Sequence, residues 1–271
     1  MWKEIETELL VAKEAGSLIY RRPNFVKLVA GLYSLSLFGL ENGRIMRASY
    51  LPVRFVDDLL DGDAKFNGDP LLYVLELKEN IKSNSLPKTR VEKQLKYAID
   101  NLESRARNDD DPRGDFVKSI DSIIFDYHRA KERRVLTFSE IQDYYKMAFD
   151  PVINITLMAS GSSIRSKEVP TLSYGQGRVY SARDIRTDWQ RGIINIPKEV
   201  LDKCNLTSYS SLNEIQNNQI LKKWTTISLQ QTKPDLINTQ SFLKNLGEKQ
   251  TFLICNSLIS PMLKFIGSDK I

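Results

Sequence analysis

Two stretches of the chain place aspartates four residues apart. The first contains Asp57 and Asp61, and the second contains Asp184 and Asp188. On a helix, residues with this spacing share a face, with their Cβ atoms about 5–6 Å apart. Two carboxylates so close repel each other unless a cation lies between them, and Mg²⁺ is usually held by one or two carboxylates together with substrate phosphates. The spacing therefore indicates two carboxylate pairs for a hard divalent cation.

An arginine precedes each pair, Arg54 before the first and Arg183 before the second. Guanidinium groups suit phosphate oxygens because they donate two parallel hydrogen bonds. A lone Asp-x-x-x-Asp pair is most often a solvated helix face. Two pairs, each with an arginine and 127 residues apart, favour metal-assisted diphosphate chemistry in a helical bundle.

Composition excludes several other classes. The chain has 271 residues, 41% of them hydrophobic, and no apolar run approaches the ~18–20 residues of a membrane-spanning helix. A single histidine, His128, disfavours Ser-His-Asp and Cys-His catalysis and histidine-rich zinc sites. Cys204 and Cys255 form neither a disulfide framework nor a metal-site spacing, so we expect a cytoplasmic setting. The net charge of +5 attracts anionic partners, but no nucleic-acid-binding signature accompanies it.

The elements that position these residues are predicted to be helices. Apolar residues recur at the helical period in the stripe Val91, Leu95, Ala98, Ile99 and Leu102. Period-2 alternation bounded by turn residues is absent from the sequence. Thr137 and Glu140 have the spacing of a capping box, which marks a helix start. We therefore predict one all-α domain over residues 1–271, with roughly ten helices.

Two further segments have structural interpretations. The basic run from Tyr127 to Arg134 suits the C-terminal end of a helix, where positive charge complements the helix dipole. The pair Gly175 and Gly177 lacks the lysine of a phosphate-binding loop and does not follow a strand. We interpret it as a site that loosens the helix or allows close helix packing.

The segment Tyr50–Asp61 resembles the first aspartate-rich motif of the squalene/phytoene synthase family, in which an aromatic residue precedes Arg-x-Val-Asp-Asp-x-x-Asp. The segment Arg183–Pro197 resembles the second motif, Arg-Asp-x-x-x-Asp followed by a glycine and Leu-Pro or Ile-Pro. Between them, Asp126 and the segment Thr137–Tyr144 are similar to the family's central Asp … Thr-x-x-Glu-Leu-x-x-Tyr stretch.

The resemblance implies an all-α helical bundle of the isoprenoid synthase type with a central cavity. It also implies magnesium ligands, groups that contact diphosphate and a tyrosine that assists ionisation and proton transfer. The implied metal ligands are Asp57, Asp61, Asp184 and Asp188. The implied substrate contacts are Tyr50, Arg54, Arg183 and Tyr145. The implied catalytic tyrosine is Tyr144, with Tyr145 as the alternative. Asp57 and Asp184 are also catalytic, since the metal that they hold assists ionisation.

The implied reaction joins two allylic prenyl diphosphates, farnesyl or geranylgeranyl, head to head. One diphosphate leaves, the double bond of the second molecule attacks the resulting cation, and a cyclopropyl intermediate rearranges to phytoene, dehydrosqualene or squalene. NADPH is needed only for squalene. A lipid product and a basic surface together suggest loose, peripheral association with a membrane.

The chain departs from the family pattern near the expected pocket. Gly177 and Tyr180 stand where the family has glutamine and asparagine, and Ile193 replaces an arginine. Phe149–Ile153 stands in place of Ala-Gly-x-Val-Gly, with a proline that would kink the helix. Two alternatives therefore stay open: a terpene-synthase-like enzyme that ionises and cyclises one prenyl diphosphate, and a non-catalytic scaffold that keeps the fold.

Overall fold

A computed structural model describes residues 2–268 of the chain. Apart from one isolated β-bridge between Val135 and Ile194, the regular structure of these residues is helical, which confirms the all-α prediction. The α-helices are α1 (Trp2–Arg21), α2 (Val26–Ser34), α3 (Leu40–Leu60), α4 (Pro70–Lys82), α5 (Arg90–Glu103), α6 (Pro112–Glu132), α7 (Phe138–Ala159), α8 (Pro170–Arg183), α9 (Ile185–Arg191), α10 (Lys198–Lys203), α11 (Leu212–Asn217), α12 (Gln219–Asn245) and α13 (Lys249–Ile266). Within residues 2–268, none of the helices combines the length and apolarity needed to cross a bilayer.

The chain divides into two compact units. The first unit comprises the residues up to Ile124 together with Asn154–Ser163, and the second comprises Phe125–Ile153 together with the residues from Ile164 onward. Asp57 and Asp61 belong to the first unit. The prediction of a single domain over residues 1–271 stays a prediction.

Local sequence signals account for where several helices begin. At the start of α5, the Glu92 amide donates to Thr89 Oγ1 over 3.2 Å, and the Thr89 amide donates to Glu92 Oε2 over 2.8 Å. At the start of α7, Thr137 and Glu140 make the same reciprocal pair, with distances of 3.3 and 2.8 Å. The predicted capping box at Thr137 is therefore confirmed. Each box satisfies amide groups that the first helical turn leaves without partners.

The core of the first unit forms where α1, α3 and α5 pack together. The predicted α5 stripe from Val91 to Leu102 is buried there. Ile155 and Met158, which lie near the C-terminal end of α7, are packed in the same core. Burial of a leucine- or isoleucine-sized side chain stabilises the fold by about 1.5–3 kcal/mol, so this stripe is what holds α5 in place.

In the second unit, α8 packs against α12 and α13. Glycines allow α8 to approach its neighbours closely. A Cβ on Gly175 would lie 2.7 Å from Leu236 Cδ2, and one on Gly177 would overlap the ring of Tyr145. The interpretation of these two glycines as a close-packing site is confirmed.

Gly192, directly after α9, allows the segment that follows to pack closely against α6. Gly192 has φ +86°, and a Cβ there would overlap the carbonyl oxygen of Ala130. Beyond it, Ile194 makes the β-bridge to Val135, and the Lys198 amide donates to the Leu136 carbonyl over 2.8 Å. Gly192 therefore sets the path of residues 193–197 along the end of α6.

We predict that Gly192→Ala destabilises the protein by about 2–3 kcal/mol, because an alanine there has both a strained backbone and a clash with Ala130. Thermal unfolding followed by circular dichroism should show a melting temperature lower by several degrees. The matched control is Gly16→Ala, at an exposed helical position with open space around the added Cβ, which should be neutral or stabilising by up to about 1 kcal/mol. Equal melting temperatures for Gly192→Ala and the wild type would contradict this account.

Candidate active site

The first aspartate pair lies at the C-terminal end of α3. The helix ends at Leu60, Asp61 is its cap residue, and Gly62 follows with φ +79°. Asp57 therefore lies in the last turn of the helix and Asp61 just beyond it. Arg54 Nη1 contacts Asp57 Oδ2 over 2.7 Å, so the arginine of this motif is paired with its first aspartate.

The aspartate between the pair, Asp58, is fully buried and surrounded by arginines. Its carboxylate contacts Arg54 Nη2 at 2.6 Å, Arg22 Nε at 2.9 Å and Arg21 Nη2 at 3.3 Å. Arg22 also reaches Asp61, with 4.0 Å between Nη2 and Oδ2. The same three arginines also face other carboxylates, so Asp58 is the buried centre of an ion-pair network that includes Glu14, Asp57, Asp61 and Asp63.

Tyr50 lies one helical turn before Arg54 and packs, partly buried, against the core of the first unit. Burial of Arg54 opposes its charged form, but the negative charges of Asp57 and Asp58 outweigh that effect and raise the pKa of the guanidinium. Arg54 is therefore a permanent cation fixed at the end of α3.

The second aspartate pair lies at the junction of two helices. α8 ends at Arg183, Asp184 is the cap residue with φ −100° and ψ 7°, and α9 begins at Ile185. The spacing predicted that both aspartates lie on one uninterrupted helix. The structure instead interrupts the helix at Asp184. The Asp188 amide still donates to the Asp184 carbonyl over 2.9 Å, which keeps the two residues one turn apart.

The two aspartates of this pair have different surroundings. Arg183 donates to both carboxylate oxygens of Asp184, over 2.8 and 2.6 Å. Asp188 instead accepts a hydrogen bond from the Asn195 side-chain amide, with 3.0 Å between Nδ2 and Oδ2. Burial and then the negative charge of Asp184 raise the pKa of Asp188 to about 7. The ionised form of Asp188 is therefore poorly compensated by the protein itself.

The two tyrosines of the central motif also differ. Tyr144 donates its hydroxyl hydrogen to Asp126 Oδ2 over 2.7 Å, and burial, aided by the charge of Asp126, raises its pKa well above the usual value. Tyr145 is buried as well, with its hydroxyl 3.1 Å from Ser181 Oγ. Tyr144 is thus a phenol that stays protonated and directs its hydrogen at a carboxylate.

Two residues that the sequence reading missed connect these groups. Arg129 is 1% exposed; its Nε donates to Asp126 over 2.6 Å and its Nη2 donates to Asn195 Oδ1 over 2.7 Å. The basic run around Arg129 suggested a solvated helix end. The spacing of three residues between Asp126 and Arg129, which places both on one helix face, was the available signal.

The departures from the family pattern contact one another. The rings of Phe149 and Tyr180 pack edge to face with centroids 6.1 Å apart, and Tyr145 lies against Gly177. Pro151 does not interrupt α7, which continues to Ala159. The unusual residues of α7 and α8 therefore form complementary contacts rather than isolated changes.

A cavity of about 270 Å³ also lies in the second unit, between α7, α8 and α12. Its lining is largely apolar and aromatic, and it includes Phe138, Ile141, Tyr145, Ile185, Trp224 and Ile227. Asn195 and Arg178 are among the polar groups at its wall. A mixed lining of this kind suits a ligand with a hydrocarbon chain and a polar end.

A sequence model of squalene/phytoene synthases matches residues 32–260. The chain therefore belongs to the squalene/phytoene synthase family, whose members are prenyltransferases that act on prenyl diphosphates. The structure is similar to that of squalene synthase HpnC from Alicyclobacillus acidocaldarius, with a TM-score of 0.63 and 16% sequence identity over 97% of this chain and 96% of that one. This likeness confirms the helical fold expected from the motifs. A comparison with curated proteins gave no match.

The donors present suit a magnesium ion that arrives with its substrate. Among residues 2–268, no three or more His, Cys, Asp or Glu side chains form a group able to hold a metal ion by themselves. Mg²⁺ does not need such a cage, because it keeps several waters and takes one or two carboxylates plus phosphate oxygens. Asp188, whose pKa is raised to about 7 beside Asp184, has the chemistry of such a ligand.

We predict that Asp188→Asn stabilises the metal-free protein at pH 8 by about 2 kcal/mol while removing its activity. The folded-state pKa of about 7 exceeds the ordinary value of 3.8, so folding stability is lost as the pH rises from about 4 to about 7. An asparagine removes that loss. Melting temperatures at pH 8 and pH 5 should show the larger gain at pH 8. The control is Asp202→Asn, at an exposed aspartate of α10, which should leave the melting temperature unchanged at both pH values. A lower melting temperature of Asp188→Asn at pH 8 would refute the prediction.

Proposed function

We propose that the protein is a Mg²⁺-dependent enzyme that joins two allylic prenyl diphosphates, farnesyl or geranylgeranyl, head to head. The observation that carries this proposal is the presence of both aspartate pairs, each with its motif arginine paired to the first aspartate, in a chain of this family. The product is of the squalene, dehydrosqualene or phytoene type, and diphosphate is released. NADPH enters only if the product is squalene.

In this proposal the carboxylates of each pair would bind Mg²⁺, Asp57 and Asp61 in the first pair and Asp184 and Asp188 in the second. The metal would offset the negative charge that builds on the departing diphosphate, which lowers the barrier to ionisation. That the two pairs share one metal cluster stays a prediction. The raised pKa of Asp188 supports its assignment, because an adjacent divalent cation would relieve the repulsion that raises it.

Arg54 and Arg183 would bind the diphosphate oxygens. Each is held in place by an aspartate, over 2.7 Å for Arg54 and Asp57 and over 2.6 Å for Arg183 and Asp184. When the metal occupies the carboxylates, each guanidinium can exchange its carboxylate partner for phosphate without losing charge-assisted hydrogen bonds. Tyr50, one turn before Arg54, would line the same region.

Tyr144 would assist ionisation and transfer a proton. Its hydroxyl hydrogen points at Asp126, so the phenol oxygen would take a proton from the carbocation as the phenol passes its own proton to Asp126. The carbocation must also be kept from water, which the apolar surroundings of Tyr144 and Phe125 favour. Tyr145 is the alternative, but its hydroxyl is paired with a serine rather than with a base.

A second candidate function has one observation in its favour. Phe149, which packs on the ring of Tyr180, fills space where the family pattern has alanine. A smaller pocket would admit one prenyl chain, which the enzyme would ionise and then cyclise or quench with water. This is the terpene-synthase-like alternative.

Product analysis separates the two candidates. The purified protein is incubated with Mg²⁺ and farnesyl or geranylgeranyl diphosphate, and the extract is analysed by mass spectrometry. We expect a coupled C30 or C40 hydrocarbon, whereas C15 or C20 products alone would establish the alternative. Removal of divalent cations with EDTA should stop turnover.

We predict that Asp57→Ala and Asp184→Ala each lower turnover by about 10³-fold or more, because each removes a metal ligand. The matched control is Asp202→Ala, which should keep wild-type turnover, and circular dichroism should show unchanged helicity in all three. Wild-type turnover in either motif variant would exclude the metal-ligand assignment.

We also propose that the enzyme works in the cytoplasm with loose attachment to a membrane. On α1, the exposed apolar residues Trp2, Ile5, Leu9 and Tyr20 lie on the side opposite buried Val11. A helix with a second, solvent-facing apolar stripe is typical of binding in the plane of a membrane interface.

Sedimentation with anionic liposomes tests this attachment. We expect the wild type to bind at low salt and to be released as salt screens the basic surface. Leu9→Glu should weaken binding, while Leu72→Glu, at another exposed leucine of the same unit, should not. Equal binding by both variants would exclude α1 as the attachment surface.

A further inference from the structure

A continuous chain of hydrogen bonds joins Tyr144 to Asp188 within the second unit. Tyr144 Oη donates to Asp126 over 2.7 Å, and Arg129 Nε donates to the other oxygen of Asp126 over 2.6 Å. Arg129 Nη2 donates to Asn195 over 2.7 Å, and Asn195 donates to Asp188 over 3.0 Å. Asn195 is thus the residue that connects Asp126 and Arg129, both on α6, to Asp188 of the second aspartate pair.

The loop that carries Asn195 is held in place by contacts other than its own side chain. Gly192 lets the loop pass the Ala130 carbonyl, Ile194 bridges to Val135, and Arg129 Nη1 donates to the Ile194 carbonyl over 3.4 Å. Since the backbone is fixed independently, the amide of Asn195 has one orientation in which its oxygen accepts from Arg129 and its nitrogen donates to Asp188. Within residues 2–268, Asn195 is the side-chain donor that the structure gives to Asp188.

The choice of a neutral amide has an electrostatic consequence. The guanidinium of Arg129 is in direct contact with the carboxylate of Asp126, and it reaches Asp188 only through Asn195. A direct arginine contact would neutralise Asp188 and compete with an incoming cation. An amide donates one hydrogen bond that orients the carboxylate while leaving its negative charge available.

We propose that Asn195 is a positioning residue, which orients the Asp188 carboxylate toward a bound divalent cation and fixes it relative to Arg129, Asp126 and Tyr144. This inference rests on the proposed function, in which Asp188 is a metal ligand. It adds a residue that orients a metal ligand without being one and that the sequence motifs did not single out.

The test is a double-variant cycle on metal affinity. Mn²⁺ binding in the presence of inorganic diphosphate is measured by electron paramagnetic resonance for the wild type, Asn195→Ala, Asp188→Asn and the double variant. We expect Asn195→Ala to weaken Mn²⁺ binding about tenfold or more, as removal of a group that orients a metal ligand does. In the Asp188→Asn background the same change should cause no further loss, because its effect passes through Asp188.

Turnover at varied Mg²⁺ provides the second readout. Asn195→Ala should raise the Mg²⁺ concentration needed for half-maximal rate, and saturating Mg²⁺ should restore the rate nearly to that of the wild type. A merely structural defect would not be rescued by the cation. The matched control is Asn213→Ala, at an exposed asparagine of α11 in the same unit, which should change neither quantity. If Asn195→Ala does not fold, Asn195→Leu fills the same volume without hydrogen-bonding groups.

The outcomes separate the two proposals. If Asp188→Asn weakens Mn²⁺ binding but Asn195→Ala does not, the positioning role is wrong and the metal-ligand assignment stands. If Asn195→Ala weakens binding by the same factor in both backgrounds, it does not act through Asp188 and the inference is overturned. If Asp188→Asn leaves Mn²⁺ binding unchanged, Asp188 is not a metal ligand. The ligand assignment of Asp188 and the positioning role of Asn195 then both fail.

Discussion

The chemistry proposed for this protein depends on pairs of carboxylates, the two members of each pair being kept close together and partly withdrawn from water. Such an arrangement costs free energy, because burial and like-charge repulsion both disfavour ionisation. The two acidic segments offset that cost in different ways. In the first, guanidinium groups contact Asp57 and Asp58 directly. In the second, Arg183 contacts Asp184, whereas the side-chain donor that residues 2–268 give to Asp188 is the amide of Asn195, and the pKa of Asp188 is raised to about 7. The second pair is thus the one with the stronger electrostatic demand for a cation.

Residues with no part in the chemistry impose much of this geometry. Asp58 is fully buried and anchors three arginines at the end of α3. Gly192 has the backbone conformation and the absence of a side chain that let the following loop lie against α6. An aspartate between the two aspartates of the first pair and a glycine after the second pair are therefore structural requirements of the geometry around the proposed metal ligands.

The departures from the family pattern at Gly177, Tyr180 and Phe149 fit their neighbours closely. Tyr145 occupies the space that Gly177 leaves, and Phe149 packs on Tyr180. A single bulky residue in place of a small one would strain the packing of α7 against α8, whereas a paired change fills the same volume without strain. The pattern indicates a pocket that has been reshaped as a unit, which is why the identity of the product is the central question about this enzyme.

Much of the fold and of the site followed from the sequence alone. Local spacing is enough to predict features formed by residues close together in the chain. These features are the helical periodicity, the capping box at Thr137, the glycine packing of α8 and the two Arg–Asp motifs. The break of the second motif at Asp184 was beyond that reach, because helix ends depend on neighbouring elements. So were the roles of Arg129 and Asn195: one lay in a run of basic residues and the other in a loop, 66 positions apart. Only the tertiary structure brings them together, because a buried hydrogen bond between distant residues leaves no periodicity in either segment.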